Sequence, residues 1–247
     1  MNYLVIDVSG LYVEQANALS NKGKNVVRYW TNWETNQKFD DYAIGKDFEY
    51  IEKVMYFADH LAWAECIVNF DVRFNDLISF LKKIYPNKSI FGSGEAEKLE
   101  NDRWLLKKTI KEIGLPLHRA VKIKGITNLK NHIKLNKDKF IKINMFREDV
   151  ESFYAKDYDS IELILDELES SFGPFKEEYD FIVEDAIHTK VEIGFDGFFN
   201  GINYIKPYLV GYEYHKNLYI AKVTDTLPPA IEETMKAFIP VLKRLDY

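Results

Sequence analysis

A lysine inside an apolar segment is the first feature of this sequence that suggests chemistry. Lys142 lies in residues 140–143 (FIKI), whose other members favour a buried strand. Its ammonium must leave that strand on one face, and a lysine there could reach phosphate oxygens as a mobile point charge. Simple alternation on a half-exposed strand, with Lys142 in water, explains the same pattern. Both interpretations stay open on this segment alone.

Two glutamates eight residues apart form the second feature. Glu184 ends the apolar run 181–183, and Glu192 lies in residues 191–194 (VEIG). Carboxylates accept hydrogen bonds, so such a pair suits a ligand that presents hydroxyl and amino donors. A lone glutamate on an exposed strand is common, and only the pair, followed by residues 196–201 (DGFFNG), carries information.

The first region that must support these residues shows strand and helix alternation. Strands are predicted over 3–8, 25–30, 65–70 and 89–91, with helices over 11–22 and 74–85. This order is typical of a parallel α/β sheet. Ser9 and Gly10 follow the first strand, where they either form a tight turn or present a helix N-terminus to an anion. A longer helix over 95–113 ends at Gly114 and Pro116.

The pattern changes after the long helix. Strands are predicted over 118–123, 139–143 and 152–155 and helices over 126–135 and 160–171, with a break at 173–174. A mainly antiparallel run follows, with strands over 181–185, 189–195, 198–205, 210–214 and 218–223, turns at 196–197 and 216–217, and a final helix over 230–243. We therefore expect an α/β (α+β) fold in which a parallel sheet precedes mixed or antiparallel sheets.

Composition excludes several classes of function. With 33 Lys and Arg against 39 Asp and Glu, the net charge of −6 offers no basic footprint, so we expect no nucleic-acid partner. The single cysteine, Cys66, predicts a buried thiol and fits a reducing cytoplasm. Neither a signal peptide nor a membrane span is predicted. The five histidines are dispersed, which disfavours a zinc site.

Three segments in a fixed order resemble the nucleotide-binding half of ATP-grasp enzymes. They are residues 99–104 leading into a helix, residues 140–143, and residues 181–185 followed by 192–197. Residues 99–107 (LENDRWLLK) resemble the Leu-Glu-x-Ser-Lys-x-Phe-x-Lys pattern of phosphoribosylamine-glycine ligase, with Asp102 and Arg103 replacing the Ser-Lys pair and Lys107 retained. Residues 146–152 lack the usual glycines and resemble a loop of phage-encoded, phosphoribosylamine-glycine ligase-like proteins.

The resemblance implies ATP and Mg²⁺ as cofactors and roles for six residues. Arg103 or Lys107 would be the first cation at the phosphates, Lys142 the second, and Arg147 a further contact by its side chain. Backbone groups of residues 183–187 would form a hinge that contacts the adenine edge. Glu184 would accept from the adenine amino group or ribose, and Glu192 would be the second acid.

The resemblance also implies an activity and a domain order. The activity is ADP-forming ligation of a small-molecule carboxylate to an amine through an acyl-phosphate. The domains are a Rossmann-like domain over 1–93, a linking helix over 94–117, a lid over 118–175 and a core over 176–247. The Mg²⁺ ligands of such enzymes would fall beyond Tyr247. We therefore expect either a truncated ligase or a nucleotide-binding or protein-interaction module that performs no ligation.

Overall fold

The computed structural model describes residues 1–34, 48–71, 74–144, 152–188, 191–214, 218–245 and 247. The predicted turn at 216–217 and loop residues 146–151, including Arg147, lie outside this part of the chain. The described residues form two compact units, Met1–Glu97 with Leu245–Tyr247, and Lys98–Arg244. Within the described ranges, no helix is long and apolar enough to cross a bilayer.

The first unit contains a parallel sheet of five strands in the order β3-β2-β1-β4-β5. The strands are β1 (Asn2–Asp7), β2 (Val26–Thr31), β3 (Ile51–Lys53), β4 (Cys66–Val68) and β5 (Ser89–Phe91), with helices α1 (Val13–Ser20) and α2 (Asn75–Ile84). Leu4, Val5 and Ile6 of the central strand are fully buried, as expected for a parallel sheet covered on both faces. Sequence analysis missed β3, because three residues are too few to show a period.

The second unit begins with two helices and a four-stranded antiparallel sheet in the order β6-β9-β7-β8. Its elements are α3 (Lys98–Asn101), α4 (Arg103–Glu112), β6 (Ala120–Lys124), α5 (Ile126–Leu135), β7 (Lys139–Ile143), β8 (Ser152–Ala155), α6 (Glu162–Phe172) and β9 (Asp180–Asp185). Ile141 and Val183 of this sheet share one core cluster with Leu129 of α5 and Leu165 of α6. This core cluster therefore lies on one face of the sheet, and the other face carries the polar side chains of β7 and β9 together with Phe140 and the fully buried Ile182.

The predicted continuous helix over 95–113 is wrong. A 3-10 helix at Gly94–Glu97 leads into α3, and a new helix, α4, starts at Arg103. The break lies at Asp102, whose extended backbone (φ −108°, ψ 94°) and side chain form the N-cap of α4. Helical period alone does not reveal such a break, because a capping aspartate also fits a polar helix face.

A three-stranded antiparallel sheet and a last helix complete the second unit. They are β10 (Glu192–Phe199), β11 (Tyr204–Tyr214), β12 (Leu218–Thr224) and α7 (Pro229–Arg244). The predicted turn at 196–197 is wrong, since β10 continues through it with a register shift between Asp196 and Phe198. The chain reverses at 200–203 instead, where the Asn200 side chain accepts from the N–H groups of Ile202 and Asn203. Asp-Gly signals a turn, but a glycine within a strand also permits a bulge.

The predicted order of a parallel sheet followed by antiparallel sheets is thus confirmed. The boundary that we predicted between a lid and a core at residue 175 stays a prediction. Strand β9, which follows that boundary, is hydrogen-bonded between β6 and β7, which precede it.

Candidate functional site

Strands β7 and β9 place Lys142 and Glu184 on the face of the sheet opposite its core. Glu184 lies directly across from Phe140, and Lys142 lies across from Ile182. Because side chains alternate along a strand, Phe140, Lys142, Ile182 and Glu184 share one face, while Ile141 and Val183 enter the core. The ammonium of Lys142 is therefore directed to a face that carries a buried carboxylate, rather than to water alone.

Two lysines from different elements meet this one carboxylate. Lys107 Nζ, from α4, lies 2.8 Å from Glu184 Oε1, and Lys142 Nζ lies 3.3 Å from the same oxygen. The side chains of Lys107, Lys142 and Glu184 are 14%, 33% and 8% exposed. Glu184 Oε1 is buried without a well-aligned hydrogen bond, so its contacts are ionic. We call these three residues the Lys107–Glu184–Lys142 cluster.

The charges of this cluster do not cancel. Burying a carboxylate is costly unless cations or hydrogen bonds compensate, and the two lysines supply that compensation for Glu184. Two positive charges and one negative charge leave an excess of one positive charge. Lys142, a third exposed, can turn its ammonium toward a ligand while Lys107 keeps its contact with Glu184. The arrangement can therefore accept an anion.

The N-terminus of α4 is fixed to the end of β7, and this positions Lys107. Asp102 Oδ1 accepts from the N–H groups of Trp104 and Leu105 at 3.0 Å each. Buried Asn144, directly after β7, donates to Asp102 Oδ1 at 3.1 Å and accepts from the Trp104 N–H at 2.8 Å. Arg103 Nη1 donates to the Ile143 carbonyl at 2.6 Å. Sequence analysis missed Asn144, and its one signal was a polar residue that ends a buried strand.

The structure brings together three of the six predicted site residues and places Arg103 and Glu192 in other contacts. Lys107, Lys142 and Glu184 form the cluster, and Arg103, on the helix of Lys107, donates to a backbone carbonyl. Glu192 is exposed at the start of β10, opposite Glu213. Arg147 lies outside the described residues.

The turn after β1 uses its backbone N–H groups internally. Asp7 is fully buried and accepts from the Gly10 N–H at 2.9 Å and the Tyr12 N–H at 2.7 Å. Its Oδ2 also accepts from the Tyr29 hydroxyl at 2.6 Å, and burial followed by this hydrogen bond raises the pKa of Tyr29. Ser9 N–H donates to Asp71. These bonds favour the tight-turn interpretation over an anion site at Ser9 and Gly10.

The described residues offer no preformed metal site. No three His, Cys, Asp or Glu side chains in this part of the chain lie close enough to hold an ion. The cluster itself has a single carboxylate between two ammonium groups, which does not suit Mg²⁺, since that ion prefers oxygen ligands.

Comparisons with known proteins identify the fold. No protein-family model matches the chain, and no curated protein matches it by sequence. Among solved structures, N5-carboxyaminoimidazole synthetase from Staphylococcus aureus in complex with ADP is 14% identical with a TM-score of 0.60, and 98% of this chain covers 62% of that one. Phosphoribosylamine-glycine ligase from Thermotoga maritima is also 14% identical with a TM-score of 0.60, at 98% and 60% coverage.

A third similar structure, a RimK domain ATP-grasp protein from Sphaerobacter thermophilus, is 12% identical with a TM-score of 0.60, and 97% of this chain covers 81% of it. At such identities the similarity shows the fold alone, and that fold is the α/β fold of ATP-grasp enzymes. The chain spans about 60% of the length of the two ligase and synthetase structures named above.

Proposed function

We propose that residues 98–244 bind ATP, with its phosphates held by the two lysines of the Lys107–Glu184–Lys142 cluster. The observation that supports this proposal is the convergence of two lysines, from α4 and β7, on one buried carboxylate. An internal carboxylate keeps both ammonium groups oriented when no ligand is bound. A triphosphate brings more negative charge than Glu184 and can compete for the lysines.

The remaining predicted residues are assigned to the other parts of the nucleotide. Backbone groups of residues 183–187 would contact the adenine edge. Glu184 would accept from the adenine amino group or the ribose hydroxyls, which are donors, and Glu192 would be the second acid. Arg103 and Arg147 would add positive charge near the phosphates. The ADP complex of the Staphylococcus aureus synthetase, which shares this fold, supports a nucleotide as the ligand class.

For the whole protein we propose an ADP-forming carboxylate-amine ligase. The substrate carboxylate would attack the γ-phosphorus of ATP, releasing ADP and forming an acyl-phosphate. The amine would then attack the acyl carbon, and phosphate would leave as the amide bond forms. Phosphoribosylamine-glycine ligase and an L-amino acid ligase from Bacillus licheniformis, whose structures are similar to this chain, support this reaction class. The cluster would contribute by neutralising charge on the transferring phosphate.

Isothermal titration of ATP tests the binding step. We expect Lys142→Ala to weaken ATP affinity by at least about tenfold, which is about 1.4 kcal/mol. Lys122→Ala is the matched control, because Lys122 also lies opposite Ile182, is 34% exposed, and pairs with Asp180 at 2.6 Å instead of Glu184. Equal affinities for wild type and Lys142→Ala would remove Lys142 from the site. ATP binding without substrate-dependent ADP release would instead support the non-ligating module.

A further inference from the structure

A single aspartate joins the proposed adenine hinge to the neighbouring strands. Asp138 directly precedes β7 and has a left-handed backbone conformation, with φ of 56°. Its carbonyl accepts from the Ala186 N–H at 3.2 Å. Its two carboxylate oxygens lie 2.8 and 2.9 Å from His188 Nε2. Asp138 therefore holds the segment 185–188 at two points, one on the backbone and one on a side chain.

The same aspartate is itself anchored on β8. The Tyr154 hydroxyl donates to Asp138 Oδ1 at 2.7 Å, and the Asp138 N–H donates to the Lys156 carbonyl at 3.0 Å. The hydrogen bond from His188, followed by that from Tyr154, lowers the pKa of Asp138, so its carboxylate is ionised at neutral pH. The residue is thus a fixed acceptor between β8 and the chain that leaves β9.

A second pair of contacts holds the beginning of this segment. Lys139 Nζ lies 2.5 Å from Asp185 Oδ1, and the Asp185 N–H donates to the Arg119 carbonyl at 3.3 Å. Three of the four residues of this segment, Asp185, Ala186 and His188, therefore contact residues of the neighbouring strands or residues directly before them. Segment 185–188 leaves the sheet in a defined direction.

Fold stability alone explains these contacts poorly. The side chains of Asp138 and His188 are 50% and 65% exposed, and even charged pairs that are so exposed contribute little to stability. Ordering a loop before a ligand arrives does matter for binding, because the ligand then loses less free energy in arranging its site. The contacts are placed where such ordering would act on adenine.

We propose that Asp138 and His188 are positioning residues that preorganise segment 185–188 for the adenine base. This inference rests on the proposed function, since it takes residues 183–187 as the adenine hinge. Neither side chain needs to touch the nucleotide. Their effect should appear in the affinity for the base and be absent from the affinity for the phosphates, which Lys107 and Lys142 would hold.

Titration of the whole chain with ATP and with inorganic tripolyphosphate separates the two parts of the ligand. We expect His188→Ala and Asp138→Asn to weaken ATP binding by about five- to tenfold, as expected for lost preorganisation, while tripolyphosphate affinity stays within about twofold. His188→Gln keeps a donor and should recover most of the ATP affinity. Asparagine tolerates the left-handed backbone, so Asp138→Asn tests the carboxylate rather than the turn.

Asp157→Asn is the matched control, because Asp157 is a half-buried aspartate just after β8 whose carboxylate accepts from the Ser160 N–H rather than from segment 185–188. It should leave both affinities unchanged. Unchanged ATP affinity in His188→Ala, or an equal loss for ATP and tripolyphosphate, would overturn the inference while leaving the proposed function intact. A wild-type chain that binds neither ligand would overturn both.

Discussion

Glu184 forms ion pairs with two lysines, which should stabilise the protein but weaken its binding of anions. Its carboxylate compensates Lys107 and Lys142 in the unliganded protein. The same negative charge opposes the approach of a phosphate. The cluster is therefore a compromise, in which an internal anion keeps the cations ordered but competes with the ligand.

Glu184→Gln should separate these effects. Without the carboxylate, the ammonium groups of Lys107 and Lys142 lose the negative charge that compensates them, and we expect the free energy of unfolding to fall by about 1–3 kcal/mol. Tripolyphosphate affinity should rise, because the competing charge is gone. Urea unfolding and calorimetric titration measure the two quantities. Glu178→Gln, which breaks the exposed pair with Lys124, is the control and should change stability by less than about 1 kcal/mol. A variant that binds tripolyphosphate more weakly would contradict this account.

At the scale of residues, the sequence indicated Lys142 and Glu184 but not their partnership. Alternation along residues 140–143 predicts that Lys142 lies on the face opposite the core. It does not predict which side chains share that face. Glu184, the partner of Lys142, is on a strand about forty residues later in the chain. Lys107 comes from a helix that precedes Lys142. Asn144 was missed for the same reason, since its role depends on Asp102 across a tertiary contact.

At the scale of elements, the start of α4 determines where Lys107 is placed. Asp102→Ala removes an acceptor for two backbone N–H groups and for Asn144, so we expect a loss of about 1–2 kcal/mol in stability. The freed helix end should also weaken ATP binding. Asp102→Asn retains a capping oxygen and should preserve most of both properties. Denaturant unfolding and ATP titration check this, and an unchanged Asp102→Ala would show that the cap does not position the helix.

Helices α5 and α6 are joined by a charged network that should respond to acid. Glu169 on α6 accepts from Lys130 on α5 and from Lys176, and these hydrogen bonds lower its pKa from 4.5 to about 2. The folded pKa is depressed, so the stabilisation is present above pH 4.5 and is lost as the pH falls toward 2. We expect Glu169→Gln to flatten the decline of stability in that window. Unfolding midpoints measured from pH 5 to pH 2.5 test it, and parallel curves for the variant and wild type would refute it.

Local patterns predicted elements best where one signal dominated. The bounds of β7, β8 and α5 agree with the sequence predictions, because each has a clear period and a clear stop. The errors at residues 95–113 and 196–197 arise where one signal has two meanings. An aspartate can lie on a helix face or cap a new helix, and Asp-Gly can turn a chain or support a bulge.

At the scale of the whole molecule, the sequence predicted the change from a parallel sheet to antiparallel sheets but not the pairing within them. Strand β9 enters between β6 and β7, so strands adjacent in the sheet are distant in the chain. Such pairing depends on which apolar faces pack together in the folded chain, and the hydrophobic period of a single strand does not predict it.

Because all the described members of the proposed site belong to the unit Lys98–Arg244, nucleotide binding should stabilise that unit selectively. At an ATP concentration one hundred times Kd, a single site contributes about 2.7 kcal/mol. We expect hydrogen exchange to slow at the backbone amides of α4, β7 and β9, with little change in β1 and β4 of the first unit. Lys142→Ala under the same ATP concentration is the control and should show much weaker protection. Equal protection in both units, or protection confined to β1 and β4, would mean that ATP binds elsewhere, and the cluster would then be a structural ion-pair network.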